Sequence, residues 1–364
     1  MRRMLYAFLL GLAVAGLCSL LMRGDAQVSQ AAAQGRSRLD LEATLVSGEK
    51  GAPTITDPVL TQRSIRITGT RRPGFAGLAG QGPPTSSLRP LEPELRELSV
   101  EERGGINTCE RPDPGYGIFR EWVYPRGYGR LLLPRKAPAD GEGSFDLIAQ
   151  FHGADLARLE YVRADVPAVM LAVRAGTGNS YPTMSGRRAF ESMVESVERS
   201  VRTAYGLDQA HAAHIALASW SGGFSGTRLL LQQSEGIERV DAVVLLDSLH
   251  TSRENVPVQM RLGPFIEFAK RAVAGEVFMF MSYSSIPTDG FASTTEAARM
   301  LIAELGGHPV VAEGDGPGGL RLKEVYSEGN FHARGYLGGG KLDHCAHLLL
   351  YPEVAQALYR RWHP

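Results

Sequence analysis

The chain has 364 residues, of which 43% are hydrophobic, and its 39 acidic and 39 basic residues give a formal net charge of zero. This apolar content is enough for a folded core and excludes a wholly disordered chain. The balanced charge, with no basic block beyond the N-terminus, argues against nucleic acid and against a highly charged partner.

Residues 1–26 have the pattern of an export signal peptide or a membrane anchor. Arg2 and Arg3 precede an apolar run at residues 4–22, and small residues that could allow cleavage follow it. Because the run approaches the length that spans a bilayer, cleavage and retention both remain open. In either case we expect export: a secreted or periplasmic body, or one anchored in the inner membrane through residues 4–22.

Residues 27–110 are rich in Ala, Gln, Gly, Pro and Ser and predict a flexible or wrapping region with short strands at 39–46 and 63–68. Cys109 and Cys345 are the cysteines outside the targeting segment. In an exported protein such a pair predicts a disulfide, and the alternative is two unrelated buried thiols.

From residue 111 onward, apolar runs of strand length alternate with helical periodicity. The predicted elements are a hairpin at 121–124 and 129–133, strands at 145–151, 166–173, 214–220, 240–246 and 276–281, a last strand at 322–326, and helices at 187–205, 264–274, 294–305 and 344–362. This order predicts a domain at 111–364 in the α/β class, with a mostly parallel sheet and helices on both faces. Its chemistry is expected at the carboxyl ends of the strands.

One strand runs directly into the stretch Ser219-Trp220-Ser221-Gly222-Gly223 and then into a helix. Small residues around Ser221 suit a tight turn, although a serine that caps a helix has a similar pattern. The stretch resembles the G-x-S-x-G nucleophile elbow of the α/β-hydrolases, with Ser219 in place of the first glycine. His152-Gly153, after an earlier strand, resembles the H-G motif of the same family.

The resemblance implies an α/β-hydrolase fold and a catalytic triad in the chain order Ser, acid, His. Ser221 would be the nucleophile. For the base, His344 at a loop–helix junction is preferred to His347. For the acid, Asp247 at the end of an apolar strand is preferred to Asp289, and Glu296 is a weaker third candidate.

The remaining expectations concern the oxyanion, the substrate and metal ions. The backbone N–H of Gly222 and that of Gly153 or Ala154 would form the oxyanion hole. Trp220 is expected to bind substrate, and Tyr181, Tyr283 and Phe291 are further aromatic candidates. No metal or cofactor is expected, because the pairs His344/His347 and His211/His214 lack the Glu of a zinc-hydrolase helix.

The function expected from the resemblance is that of a secreted esterase or polyester depolymerase. It would cleave a small or polymeric carboxylic ester through an acyl-enzyme. A peptidase, an amidase or an acyltransferase could use the same triad. A non-catalytic envelope binding protein that retains the fold is the alternative from another class.

Overall fold

The computed structural model describes residues 66–67, 95–125, 127–138, 140, 143–176, 180–253 and 257–364. The predicted targeting segment at 1–26 and the predicted strand at 39–46 lie outside these residues. Of the strand predicted at 63–68, the structure describes Arg66–Ile67. Within the described residues, no helix combines the length and the apolar character needed to cross a membrane.

Strands and helices alternate through most of the described chain. The strands are β1 (Arg66–Ile67), β2 (Gly129–Leu132), β3 (Ser144–Phe151), β4 (Val169–Val173), β5 (His211–Trp220), β6 (Ala242–Leu246), β7 (Thr251–Ser252), β8 (Phe278–Ser284), β9 (Phe291–Ala292), β10 (Val310–Asp315), β11 (Arg321–Glu328) and β12 (Phe331–Leu337). The α-helices are α1 (Ala154–Ala164), α2 (Ala189–Tyr205), α3 (Phe224–Leu231), α4 (Ser234–Arg239), α5 (Val258–Val273), α6 (Thr294–Glu304), α7 (Lys341–Ala346) and α8 (Tyr351–Trp362).

Ten strands form one sheet in the order β1-β10-β11-β12-β8-β6-β5-β3-β4-β2. The central strands, from β12 to β4 in that order, are parallel, and the outer strands are antiparallel. The prediction of a mostly parallel sheet is therefore confirmed. β4 pairs with one side of β3, and β5 pairs with its other side. The chain therefore leaves β3 and β5 in opposite directions along the sheet. The gap between the two loops is a topological switch point, where α/β sheets bind their ligands.

Side chains of the central strands alternate between two hydrophobic cores, one on each face of the sheet. In β5, Ile215 and Leu217 join the core that contains α2, α3, α5 and α6. Ala216 and Ala218 join the core that contains α1 and α8. A strand buried on both faces needs apolar residues at every position, which explains the unbroken apolar runs of the sequence. The prediction of helices on both faces is confirmed.

The prediction that 322–326 forms the last strand is wrong, because β12 follows β11 through a two-residue turn. Glu328 pairs with Phe331 across Gly329 and Asn330, and Gly329 has a φ of 55° that suits glycine. β12 then pairs in parallel with β8. Its polar residues His332 and Arg334 are buried, which removes the apolar signal on which the prediction depended.

Residues 95–110 pack against α7 and the glycine-rich loop before it. Cys109 and Cys345 form a disulfide with a Cα–Cα distance of 5.2 Å, which confirms that prediction. The Thr108 hydroxyl donates to the Leu342 carbonyl at 2.5 Å. Arg103 forms a fully buried ion pair with Asp343. This part of the predicted N-terminal region thus lies against the helix that carries His344.

Candidate active site

Ser221 occupies a sharp turn between β5 and α3. Its φ of 54° is left-handed, a conformation that serine seldom adopts and that is typical of a strained functional turn. The turn packs closely against Phe151 at the end of β3. An added Cβ at Gly223 would lie 2.2 Å from the Phe151 carbonyl oxygen, and one at Gly226 would lie 2.4 Å from the Phe151 ring. These contacts explain the small residues that follow Ser221.

Ser219 replaces the first glycine of the elbow pattern and is buried. The Ser248 hydroxyl lies 2.8 Å from the Ser219 hydroxyl and 2.8 Å from the Ser221 carbonyl oxygen. Each hydroxyl has one hydrogen to donate. Both hydrogen bonds form when Ser219 donates to the Ser248 hydroxyl and Ser248 donates to the Ser221 carbonyl. The Ser219 hydroxyl, which the glycine of the family pattern would lack, therefore has a hydrogen-bond partner inside the fold.

The His344 ring is hydrogen-bonded to Asp247, with 2.6 Å between Nδ1 and Oδ2. Asp247 follows β6 and is 2% exposed. Its other oxygen, Oδ1, accepts the Ser284 N–H at 2.9 Å and the Thr294 hydroxyl at 2.5 Å. Because Nδ1 faces the carboxylate, Nε2 is the ring nitrogen left to act on a proton.

Burial by itself would raise the pKa of Asp247, but the neighbouring His347 and His344 and the Thr294 hydroxyl hold that pKa below its usual range. The carboxylate thus stays ionised at neutral pH. An ionised carboxylate at Nδ1 fixes the orientation of the imidazole and stabilises its protonated form.

The other candidates for acid and base make different contacts. Asp289 lies in an exposed turn before β9. Glu296 accepts the Ser293 N–H at 2.7 Å and caps α6. His347 is fully buried, its Nδ1 lies 2.8 Å from the Ser282 hydroxyl, and burial lowers its pKa to about 4. The structure therefore brings His344 to Asp247.

Trp220 lies between two histidine rings. Its centroid is 4.7 Å from that of His344 and 5.5 Å from that of His152, and its indole N–H donates to the His344 carbonyl at 3.1 Å. The described lining of the two cavities that reach Ser221 includes Phe291, but not Trp220, Tyr181 or Tyr283. In this structure Trp220 supports the histidine, and the binding of substrate by its ring stays a prediction.

The loop after β3 has two consecutive left-handed residues, His152 with a φ of 64° and Gly153 with a φ of 65°. An added Cβ at Gly153 would lie 2.4 Å from the Trp220 ring, so the backbone passes directly over the indole. The Gln150 amide donates to the carbonyls of Phe151 at 3.0 Å and His152 at 2.9 Å and so holds this loop.

Two candidate oxyanion donors are backbone N–H groups at the start of helical segments. Ala154 is the first residue of α1, and Gly222 lies in the short 3₁₀ turn at Ser221–Gly223. N–H groups at these positions have no carbonyl partner within their own helix and are free to bind an anion.

Two cavities open at Ser221. One, of about 360 Å³, is lined by Ser221, Asp247 and His344 among others. The second, of about 650 Å³, extends over α3 toward Arg228 and Arg261. The candidate nucleophile, base and acid thus face a common space at the carboxyl edge of the sheet.

In the described part of the chain, no group of three or more His, Cys, Asp or Glu residues is arranged to hold a metal ion. His214, from one of the H-x-x-H pairs, lies at the opposite edge of the sheet, where its Nδ1 is 2.8 Å from Asp146.

Sequence reasoning missed three residues whose hydrogen bonds hold the turn at Ser221 and the Asp247 carboxylate: Ser248, Ser284 and Thr294. The sequence did indicate Ser248, because it is a polar residue directly after Asp247, at the carboxyl end of a strand. Thr294 begins a helix 47 residues after Asp247, and no local pattern connects the two.

The strand order, the crossover helices and the strained turn after β5 together define an α/β-hydrolase fold, as the resemblance implied. No protein-family model matches the chain, and no curated protein sequence matches it. Solved structures similar to it include a protein named FAE, at 14% identity over 66% of this chain and 89% of that one, with a TM-score of 0.39.

Two further similar structures are described as esterases. The enterobactin esterase FES from Shigella flexneri, solved in the presence of enterobactin, shares 14% identity over 70% of this chain and 61% of its own, with a TM-score of 0.40. One of two fungal esterases from Rhizomucor miehei shares 12% identity over 69% of this chain and 84% of its own, with a TM-score of 0.36. At these identities and TM-scores, activity and substrate have to be argued from the site itself.

Proposed function

We propose that the protein is a serine hydrolase that cleaves carboxylic esters, with Ser221 as nucleophile, His344 as base and Asp247 as acid. The observation that carries the proposal is the pair of buried Asp247 and half-buried His344, which lines the same cavity as the strained Ser221. Such a pair activates a hydroxyl that is otherwise a weak nucleophile.

In the first half of the reaction, Ser221 Oγ attacks the ester carbonyl carbon while His344 Nε2 takes the hydroxyl proton. The tetrahedral intermediate then collapses: the bond to the alcohol oxygen breaks, and His344 gives the proton to that oxygen. Asp247 keeps its negative charge throughout and stabilises the transient imidazolium. The products of this half are the free alcohol and an acyl-Ser221 ester.

Negative charge develops on the carbonyl oxygen in each tetrahedral intermediate. The N–H groups of Gly222 and Ala154 are assigned to this oxyanion, with that of Gly153 as the alternative to Ala154. One such donor typically contributes about a hundred- to a thousandfold in kcat. The Gln150 hydrogen bonds and the glycine contact with Trp220 would hold this loop in place before substrate arrives.

In the second half, water replaces the alcohol. His344 removes a proton from the water, the hydroxide attacks the acyl carbonyl, and the proton passes to Ser221 as the acid leaves. The sum is one ester and one water converted to one acid and one alcohol. Peptidase, amidase and acyltransferase activities would use the same residues, so a substrate profile with ester, amide and alcohol acceptors separates them.

A fluorophosphonate probe tests the nucleophile directly, because it reacts covalently with an activated serine. We expect the wild-type protein to be labelled and Ser221→Ala not to be labelled. Ser225→Ala is a matched control, since this serine lines the larger cavity but lies within α3. The proposal fails if the wild type resists the probe, or if Ser221→Ala is labelled like the wild type; a non-catalytic binding protein would give the first result.

We also propose that the protein acts after export. The support is the Cys109–Cys345 disulfide, since such bonds persist in oxidising compartments and are rare in the cytosol of most organisms. N-terminal sequencing and fractionation of the expressed protein test this. Full-length protein with free thiols in the cytosolic fraction would contradict export, whereas a mature N-terminus near residue 27 or an intact chain in the membrane would distinguish a signal peptide from an anchor.

A further inference from the structure

The larger cavity at Ser221 has more basic than acidic residues in its lining. Its described lining includes two arginines, Arg228 on α3 and Arg261 on α5, and it includes no Asp or Glu. His250 is the other titratable group of this lining, and burial lowers its pKa, so it is neutral at pH 7. The cavity beside the proposed nucleophile is therefore positively charged.

Neither guanidinium has a counter-ion among the described residues. The Nε of Arg228 is buried without a hydrogen bond. Arg261 donates from Nη1 to the Ser252 carbonyl at 2.6 Å, while its Nε is also buried without a partner. By contrast, the nearby Arg253, which is not in the cavity lining, pairs with Glu296 at 3.1 Å.

Unpartnered charged donors in a half-buried position cost free energy, because they have lost water without gaining an acceptor. A ligand carboxylate in the cavity would supply the missing counter-charge and accept from the Nη groups, since guanidinium groups bind carboxylates in a planar, two-pronged geometry. The Arg261 bond to Ser252 fixes the direction of its remaining N–H groups.

Apolar side chains line the same cavity as the two arginines. Phe224 and Phe291 each contact the His250 ring, with centroid distances of 5.7 and 5.2 Å. Together with Met260 they line the cavity beside Ser221. A ligand that matches both kinds of side chain has a short hydrocarbon portion and an anionic end.

We propose that this cavity binds the free carboxylate of an ester substrate, with Arg228 and Arg261 as its anion-binding residues. The inference rests on the proposed hydrolase activity of Ser221. The substrate class is a monoester of a short dicarboxylic acid, or an oligoester with a free acid end, in which the carboxylate occupies the cavity while the ester carbonyl lies at Ser221.

The test compares two ethyl esters whose acyl chains have the same number of carbons: monoethyl adipate, which ends in a carboxylate, and ethyl hexanoate, which ends in a methyl group. Release of ethanol gives kcat/KM for each at pH 7.5. We expect the wild type to prefer the anionic ester by about ten- to a hundredfold, the value of a hydrogen bond to a charged group. A wild-type ratio of one or less overturns the inference without any variant.

Arg228→Gln is expected to lower kcat/KM for monoethyl adipate by a much larger factor than for ethyl hexanoate, so that the ratio of the two values falls toward one, whereas Arg228→Lys should retain part of the preference. Arg253→Gln is the matched control, since it removes the same charge outside the cavity and should keep the wild-type ratio. Equal losses on both esters in Arg228→Gln would contradict a carboxylate subsite. If the wild type cleaves neither ester and resists the fluorophosphonate probe, the hydrolase proposal itself has failed.

Discussion

Two histidine–aspartate clusters lie at opposite edges of the same sheet. At the carboxyl edge, Asp247 binds His344 with 2.6 Å between nitrogen and oxygen. At the amino edge, Asp146 lies between His214 and His363, each at 2.8 Å. Residue type and distance alone would not tell the two clusters apart.

Their surroundings differ. His344 shares a cavity with a serine in a left-handed turn, and its aspartate is held by two further donors. Asp146, on β3, instead binds His214 on β5 and His363, the residue that follows α8. Trp362 of α8 stacks on His214 with 5.3 Å between ring centroids. The amino-edge cluster attaches the C-terminal helix to the sheet. We therefore propose a catalytic role only for the pair at the carboxyl ends of the strands, which shares a cavity with the strained serine.

The largest effect is expected for Asp247→Asn. An asparagine would favour the wrong tautomer of His344, and we expect kcat/KM for an ester to fall by about 10⁴-fold with the fold retained. Asp289→Asn is the control at the alternative acid and should change kcat/KM by less than about twofold, because Asp289 lies in an exposed turn. Small and equal losses in the two variants would show that the acid is misassigned.

The carboxyl-edge histidine also depends on its neighbour Cys345. Replacing Cys109 and Cys345 together by alanine is expected to lower the free energy of unfolding by about 2–5 kcal/mol, since the bridge closes a loop with a separation of 236 residues. We also expect kcat to fall at temperatures where the variant is folded, because α7 carries His344, the proposed base. Urea denaturation and ester turnover measure the two effects. Unchanged turnover in the folded variant would mean that α7 keeps its position without the bridge.

His347 is expected to make the protein less stable in acid. Burial holds its pKa at about 4, against a usual value of 6.5, so below pH 6.5 the unfolded chain binds a proton that the folded chain does not. The free energy of unfolding should therefore decrease as the pH falls from 6.5 to 4, by about 3 kcal/mol at 1.36 kcal/mol per pKa unit. His347→Gln does not titrate and should lose less stability over this range in denaturation experiments at pH 7 and 4.5. The same loss in both proteins would place the acid sensitivity elsewhere.

The smallest effect is expected at the amino edge. Asp146→Asn weakens two hydrogen bonds to histidines, and we expect about 1–2 kcal/mol less stability with kcat/KM within about twofold of the wild type. Thermal denaturation and ester turnover on the same sample give both values. A large loss of turnover with unchanged stability would contradict a purely structural role for the Asp146 cluster.

Most of the central sheet could be predicted from the sequence, because strands buried on both faces are continuous apolar runs. β12 could not, since His332 and Arg334 are buried there with polar partners: the His332 ring lies 2.6 Å from the Ser327 hydroxyl, and Arg334 pairs with Glu353. Helix α5 begins at Val258, before the predicted start, with Pro264 inside it. Proline marks a helix start in sequence patterns, and here that preference misplaced the boundary.

For the site, the order of Ser221, Asp247 and His344 in the chain was enough to propose a triad. The choice between Asp247 and Asp289 was weakly determined, because both follow strands and local composition does not tell which turn is buried. The roles of Arg228 and Arg261 were not visible in the sequence. They depend on two helices meeting over one cavity and on the lack of a described counter-ion there, and neither fact leaves a local pattern.

The hydrogen bond between Ser219 and Ser248 has a consequence for recognising chains of this kind. A search that requires glycine two residues before the nucleophile rejects this sequence, although the turn is formed. The hydroxyl at position 219 is tolerated because another hydroxyl, 29 residues further along, meets it. The two positions therefore constitute one joint requirement, so Ser219→Gly and Ser248→Ala should show non-additive effects in a double-mutant cycle. A useful sequence pattern would specify the pair of positions instead of a single glycine.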